Sequence, residues 1–240
     1  MPMTATVTLA DLAATSPGAI RILEQYGLDY CCGGKQALAE ACRSKQLAPE
    51  RILREIDEAA AVITAARDWS TAPLDELVRH IVETHHAYLK LHLPVVEARI
   101  RKVVAVHGPR DPQRLPRLAA VFAGLRQELQ MHLQKEEAIL FPFIAQYGRA
   151  ELRHQRVPPV PFGSIANPIA AMEHEHAEAG DALGEIRELT SDFNPPPYAC
   201  ATVRALYDGL KSLEQDLHLH IHLENNILFP RAIALEPHGI

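Results

Sequence analysis

Two stretches of this chain repeat each other at a fixed distance, and that repeat limits the possible folds more than any other feature. Met131–Pro142 reads MHLQKEEAILFP and Leu219–Pro230 reads LHIHLENNILFP. The matches fall 88 positions apart (132 to 220): His132 with His220, Glu136 with Glu224, Ile139 with Ile227, and Phe141-Pro142 with Phe229-Pro230. Upstream, Leu125 pairs with Leu213 and Leu129 with Leu217 at the same distance. A fainter repeat, 90 positions apart (86 to 176), aligns ETHHA (Glu83–Ala87) with EHEHA (Glu173–Ala177) and so His86 with His176. Self-similarity at a fixed period means a repeated supersecondary unit. Here the unit is a helical hairpin, present twice and related by a pseudo-twofold axis.

The rest of the chain supports an all-α fold. Ala, Leu, Glu and Arg dominate, and β-branched residues do not alternate as they would in strands. Four long helical segments are expected: A at about 73–107, B at about 113–147, C at about 166–190 and D at about 197–235. GPRDPQRLP, RVPPVPFGSIANP and DFNPPPY separate them. Connections between consecutive long helices suggest an up-down four-helix bundle over residues 72–240, with Pro94 expected to kink A. Residues 1–68 form a separate small helical module. In TSPGAIRILEQYG, Ser16 is the expected N-cap, Pro17 the first helical residue and Gly27 the terminator. A DYCCGG turn, a helix in KQALAEACRSK and another in PERILREIDEAAAVITAARD, opening on Pro49, complete three short helices.

The net charge of −6 argues against a nucleic-acid partner. No stretch approaches the roughly 20 apolar residues that span a bilayer, and MPMTATVTLADL lacks the features of a secretory signal. A cytoplasmic protein with no membrane partner is expected, its four cysteines held as thiols.

The chemistry lies in the seam of the bundle. In B, Leu125, Leu129, His132, Glu136, Ile139 and Phe143 follow the alternating three- and four-residue spacing of a core stripe. Leu213, Leu217, His220, Glu224 and Ile227 repeat it in D. Val82, His86, Leu89 and Leu93 follow it in A, and Met172, His176, Ala179 and Leu183 in C. His218 and His222 fall off this register and are expected at the flank. Buried carboxylates need pairing or coordination, and a His and a Glu four apart on a helix can reach one ion together. Six such groups from four helices fit two metals, each holding two imidazoles, with Glu136 and Glu224 bridging. So many imidazoles argue against Mg²⁺ or Ca²⁺, zinc is usually satisfied by one closed site, and carboxylate–histidine bundles commonly hold two irons. Glu83 and Glu173 could build a more carboxylate-rich site, but that leaves His132 and His220 unexplained. They are therefore assigned to orienting an imidazole or lining an entry path. Of the adjacent His85 and His86, register selects His86. His80, His92 and His107 have no register match.

HLHIHLENNILFPRA, MHLQKEEAILFP and NPIAAMEHEHAEAG resemble the hemerythrin-like domain of the repair-of-iron-centres family, and LDYCCGGKQALAEA resembles that family's N-terminal cysteine-pair module. The resemblance implies a hemerythrin-like bundle with a non-haem di-iron centre, oxo-bridged, on His86, His132, Glu136, His176, His220 and Glu224. It also implies repair of iron–sulfur clusters damaged by nitric oxide or peroxide, with iron–sulfur client proteins as partners and NO and O₂ as small ligands. Iron supply and nitric oxide handling are the two activities it suggests. A hemerythrin-type sensor or carrier of oxygen or nitric oxide is the alternative, and the cysteine module weighs against it. Cys31 and Cys32 are expected to form a reactive pair that takes iron, nitric oxide or a partner's metal, or acts as a redox switch. Cys42 is expected in the core and Cys200 in a structural position at the start of D. A homodimer is compatible with the module and the exposed helices.

Overall fold

Thr8 opens the first element. Its side chain accepts from the Asp11 N–H, an N-cap that satisfies a backbone donor the helix itself cannot. The structure, a computed structural model, describes residues 7–16, 18–60 and 67–236. Apart from one bridge between Thr8 and Ala37, all regular structure among them is helical. Four short helices make the N-terminal module: α1 (Leu9–Thr15), α2 (Ala19–Gln25), α3 (Leu38–Ser44) and α4 (Pro49–Ala60). The sequence pattern suggested three. The extra one is α1, short but anchored by its cap and by buried Leu9, Leu12 and Ala13. Ser16 therefore closes α1, and Gly18 holds the N-cap position of α2. Pro17 and residues 61–66, which the sequence placed in helices, lie outside the described residues.

The bundle follows. Segment A comprises α5 (Leu74–His80), a π-helical turn (Ile81–His86) and α6 (Ala87–His107), which runs on through Pro94. Segment B comprises α7 (Arg114–Lys135), a π turn (Glu136–Leu140) and α8 (Phe141–Leu152). Segment C is α9 (Ala166–Leu189) alone. Segment D comprises α10 (Ala201–Leu223), a π turn (Glu224–Leu228) and α11 (Phe229–Leu235). α5 packs on α8 and α6 on α7, so A and B run antiparallel; α7 packs on α9, and α10 returns against α6. No helix among the described residues is long and apolar enough to cross a membrane.

The π turns shift the seam. Each inserts one residue into the helical repeat, so the face beyond it slips by one position. In B the seam residues are Leu140 and Ile144, both buried, while Ile139 is 48% exposed. In A, Ile81 takes the buried position expected for Val82, and both His85 and His86 turn inward. In D, Ile227, Leu228 and Phe229 are all buried, because the N-terminal module covers that side.

Two apolar layers result. One contains Leu89, Leu129, Ala179 and Leu217, the other Ile81, Leu140, Met172 and Leu228. A polar layer lies between them. The module docks beside that layer, on the turn Glu224–Leu228. The Asn226 amide donates to the carbonyls of Tyr30 (3.1 Å) and Cys31 (3.2 Å). The Tyr30 ring rests edge-on against His222 and His218. These two histidines are thus packing surface for the module. Gly34 completes the contact: a Cβ there would stand 2.7 Å from the Tyr30 carbonyl and 2.8 Å from Asn226 Oδ1. Gly34→Ala should therefore cost about 1–3 kcal/mol by overpacking. A thermal or denaturant melt unchanged from the parent would show that the module does not depend on this contact.

Candidate metal centre

The polar layer brings all six seam groups together, and each is at most 3% exposed. His86 and His220 meet Nε2 to Nε2 at 3.2 Å, and His132 and His176 do so at 3.1 Å. Glu136 Oε2 stands 3.3 Å from both His86 Nε2 and His132 Nε2. Glu224 Oε1 is 2.8 Å from His220 Nε2, and Oε2 is 3.1 Å from His176 Nε2. The donors sort into two groups, His86–Glu136–His220–Glu224 and His132–Glu136–His176–Glu224, with the atoms of each group within 4.8 Å of one another. Both carboxylates belong to both groups.

This arrangement is poorly explained by hydrogen bonding alone. Both oxygens of Glu136 and Oε2 of Glu224 are buried without a well-formed hydrogen bond among the described residues. Ring nitrogens of two histidine pairs face one another at 3.2 and 3.1 Å. Two nitrogens bound to one metal at about 2.1 Å stand about that far apart. The donor set fits a pair of cations, and these residues could hold them.

The π turns position it. Glu136 and Glu224 each open one, and His86 closes the third. The outer ring nitrogens are also held. His86 Nδ1 donates to Glu137 Oε1 at 2.8 Å, His132 Nδ1 to Glu175 Oε2 at 2.9 Å, and His176 Nδ1 to Asn225 Oδ1 at 2.7 Å. Such partners fix the tautomer and turn Nε2 inward. Lys90 in turn binds Glu137 and Lys135 binds Glu175. Burial would raise both carboxyls, but the lysines and imidazoles hold them below the ordinary range. Glu83 and Glu173 do not take this part. Glu83 is exposed, and Glu173 faces Lys35 at 3.9 Å. The orienting residues sit off the hydrophobic stripe, where the seam pattern carries no signal. The repeat does mark one pair, because Glu137 and Asn225 keep the 88-residue offset (137 to 225).

Electrostatics in the metal-free protein follow from the two carboxylates. Burial disfavours an imidazolium at His86 and His132, yet Glu136 and Glu224 outweigh it and raise His86 to about 10 and His132 to about 9. Burial and mutual repulsion oppose ionising Glu136 and Glu224, and the surrounding imidazoles reverse this, leaving both lowered. Two protons thus occupy the layer that two cations would fill. Burial lowers His220.

The cysteine pair sits close by. Cys32 Sγ donates to the carbonyl of His176 at 3.5 Å. Asp29 Oδ1 accepts from the backbone of Cys31 and Cys32 and from Cys31 Sγ at 3.2 Å, while Oδ2 accepts from Gly33 N–H. No helix N-terminus stabilises a thiolate at Cys31. α3 begins only at Leu38, the loop N–H groups are engaged by Asp29, and Cys32, burial and Asp29 together push the Cys31 thiol well up. Cys42 is buried in the module core as expected. Cys200 stands at the N-cap of α10, at the start of D as expected; it is exposed, with Sγ 3.4 Å from His107 Nε2, and the Val203 N–H and His107 lower its thiol to about 7. A cavity of about 190 Å³, bordered by Leu129, Met131, His132, Glu175, His176 and His220, reaches the metal layer from outside.

The family description of the hemerythrin HHE cation binding domain matches residues 77–232, and that of a domain of unknown function, DUF542, matches residues 5–60. The iron-sulfur cluster repair proteins YtfE of Citrobacter koseri and Escherichia coli O157:H7 are each 41% identical over 230 residues, covering 95% of this chain and 97% of theirs. The same protein of Shigella boydii serotype 4 matches equally.

A pH dependence follows. His86 and His132 are raised above the ordinary imidazole value of 6.5, so the stability they contribute is full below about 6.5 and lost as pH rises through about 9 to 10. The melting temperature of the metal-free protein should fall between pH 7 and 10, and the fall should vanish in a Glu136→Gln/Glu224→Gln variant. A flat profile in the parent would show that these imidazoles are not charged.

Proposed function

The chain belongs to the repair-of-iron-centres family, and from that premise we propose that it is a cytoplasmic di-iron protein that restores damaged iron–sulfur clusters. The observation that carries this reading is the pair of buried four-donor groups sharing Glu136 and Glu224. His86 and His220 would hold one iron and His132 and His176 the other, with the two carboxylates between them. Four imidazoles and two carboxylates favour iron over the hard cations. The centre, when loaded, supplies exchangeable iron and a place where nitric oxide or O₂ can bind.

The chain's own residues do the remaining work. Glu137, Glu175 and Asn225 hold the ligand rings so that Nε2 points inward. The apolar layers above and below exclude bulk water. The cavity beside His132, His176 and His220 admits molecules of diatomic size. In the metal-free state His86 and His132 each hold a proton that a metal would displace, so loading releases protons and strengthens as pH rises toward about 9 to 10. Cys32 lies against the His176 carbonyl, so an iron–sulfur client engaging the cysteine module would stand next to the ligand layer. That contact supports repair over the sensor or carrier alternative, which has no use for a thiol pair at the metal centre.

Protein purified without added metal should contain about two irons per chain, and His132→Ala or Glu136→Ala should lose them. One zinc, or no metal after anaerobic loading, would remove the di-iron reading. Cys31→Ser/Cys32→Ser should keep the iron and lose the ability to reactivate a nitric oxide-damaged iron–sulfur enzyme. Undiminished reactivation would leave the pair a structural role.

A further inference from the structure

Among the described residues, a further set of metal-capable donors lies outside the seam. Asp29, Cys31 and Cys32 each offer one atom, and these atoms lie within 4.8 Å of one another. The two sulfurs are 3.9 Å apart, and Cys31 Sγ donates to Asp29 Oδ1 at 3.2 Å. Two thiolates on one tetrahedral ion at about 2.3 Å stand about 3.8 Å apart, and a thiolate and a carboxylate oxygen on such an ion about 3.5 Å. The sulfurs already have that separation, and the carboxylate is within a few tenths of an ångström of it. The loop holds the carboxylate there. The N–H groups of Cys31, Cys32 and Gly33 all donate to Asp29, and Gly33 leaves it room, since a Cβ there would stand 3.0 Å from Asp29 Oδ2. A carboxylate offers about four acceptor sites. The N–H groups take three, and the Cys31 thiol takes the last. An ion that displaces the thiol proton therefore inherits a lone pair aimed at it. Cys31 is buried, while Asp29 and Cys32 are exposed, so the group opens to solvent.

We infer that Asp29, Cys31 and Cys32 form a mononuclear site for a thiophilic divalent cation, separate from the seam and open at its fourth position. Two thiolates select ions such as zinc or ferrous iron over magnesium or calcium. Three protein donors with one position free make a site that exchanges its last ligand, where a structural site would close with four. Binding exchanges protons for metal: the ion forms one bond to each sulfur, and the two thiol protons leave to solvent. In the metal-free loop Cys32, burial and Asp29 all disfavour a thiolate at Cys31, and a divalent ion removes the repulsion among the three anions. The role in repair rests on the function proposed above. There the ion is ferrous iron in transit, and a thiolate of the client fills the fourth position. Cys32 Sγ touches the His176 carbonyl at 3.5 Å, so this site and the seam lie side by side. The site itself rests on geometry alone.

Anaerobic titration with Co²⁺ under reducing conditions tests the site. The full chain carries Cys200→Ser, which removes the other exposed thiol. Thiolate-to-cobalt charge-transfer absorption should grow in and saturate at one ion per chain; the seam, which has no sulfur, cannot produce it. No such band, or a band that survives Cys31→Ser/Cys32→Ser, would overturn the site. Asp29→Asn keeps an oxygen for the N–H groups of Cys31 and Cys32 but loses the charge. It should weaken the cobalt–thiolate complex by at least about 10-fold, the loss that even an outer partner of a metal ligand causes. Undiminished affinity would remove Asp29 from the site and overturn the three-donor assignment. Iron content, measured on the same protein before titration, separates the two readings. A thiolate band in protein that takes up no iron in the seam would refute the di-iron centre and keep this site, and seam iron without the band would do the reverse.

Discussion

Two carboxylates in the middle of an apolar bundle set the terms for everything around them. Glu136 and Glu224 are fully buried and close enough to repel each other. Left unpaired, such a layer would be costly. The surrounding structure is organised around compensating it: four imidazoles on four different segments, two protons in the metal-free state, and a geometry in which two cations can replace those protons. The outer partners are distributed evenly. In each four-donor group one imidazole is backed by a carboxylate, His86 by Glu137 and His132 by Glu175, and those carboxylates are neutralised at the surface by Lys90 and Lys135. The two imidazoles with raised pKa values are the same two. The positive charge of the metal-free layer therefore sits on the two rings whose outer nitrogens donate to a carboxylate.

The N-terminal module is tied to the same layer. Asn225 and Asn226 are neighbours within one π turn; the first holds His176 and the second holds the backbone of Tyr30 and Cys31. One short stretch of D thus carries the buried Glu224, the partner of His176 and the anchor of the cysteine loop. Movement of the module would be felt at His176 through two routes, the Asn pair and the Cys32 contact with the His176 carbonyl. This places the thiols and the metal layer in a single mechanical unit, although they come from separate parts of the chain.

Most of the site could be read from the sequence, and the parts that could not have a common cause. A repeated His-x-x-x-Glu in seam register brings out His132, Glu136, His220 and Glu224 because each pair runs up to the first residue of a π turn, where regular helical spacing still holds. The register of Ile139 and Val82 failed because a π turn adds a residue without leaving a mark in hydrophobicity. The inward turn of His85 has the same origin. Glu137, Glu175 and Asn225 were missed because they stand beside the apolar stripe, and polar residues there look like ordinary solvent-facing ones. The helix α1 was legible in Thr8-x-x-Asp11 but is too short to show periodicity. Register placed His218 and His222 at the flank but could not show what covers them, because their partner, Tyr30, lies almost two hundred residues away along the chain.

The π turns also divide the repeat. Those at Glu136–Leu140 and Glu224–Leu228 are separated by 88 positions (136 to 224), so the inserted residue belongs to the repeated unit itself. The turn at Ile81–His86 has no counterpart in the uninterrupted helix Ala166–Leu189. It is a difference between the two halves, and beside it His85 is buried. At matching positions one half carries the carboxylate Glu175 and the other the imidazole His85 (175 to 85).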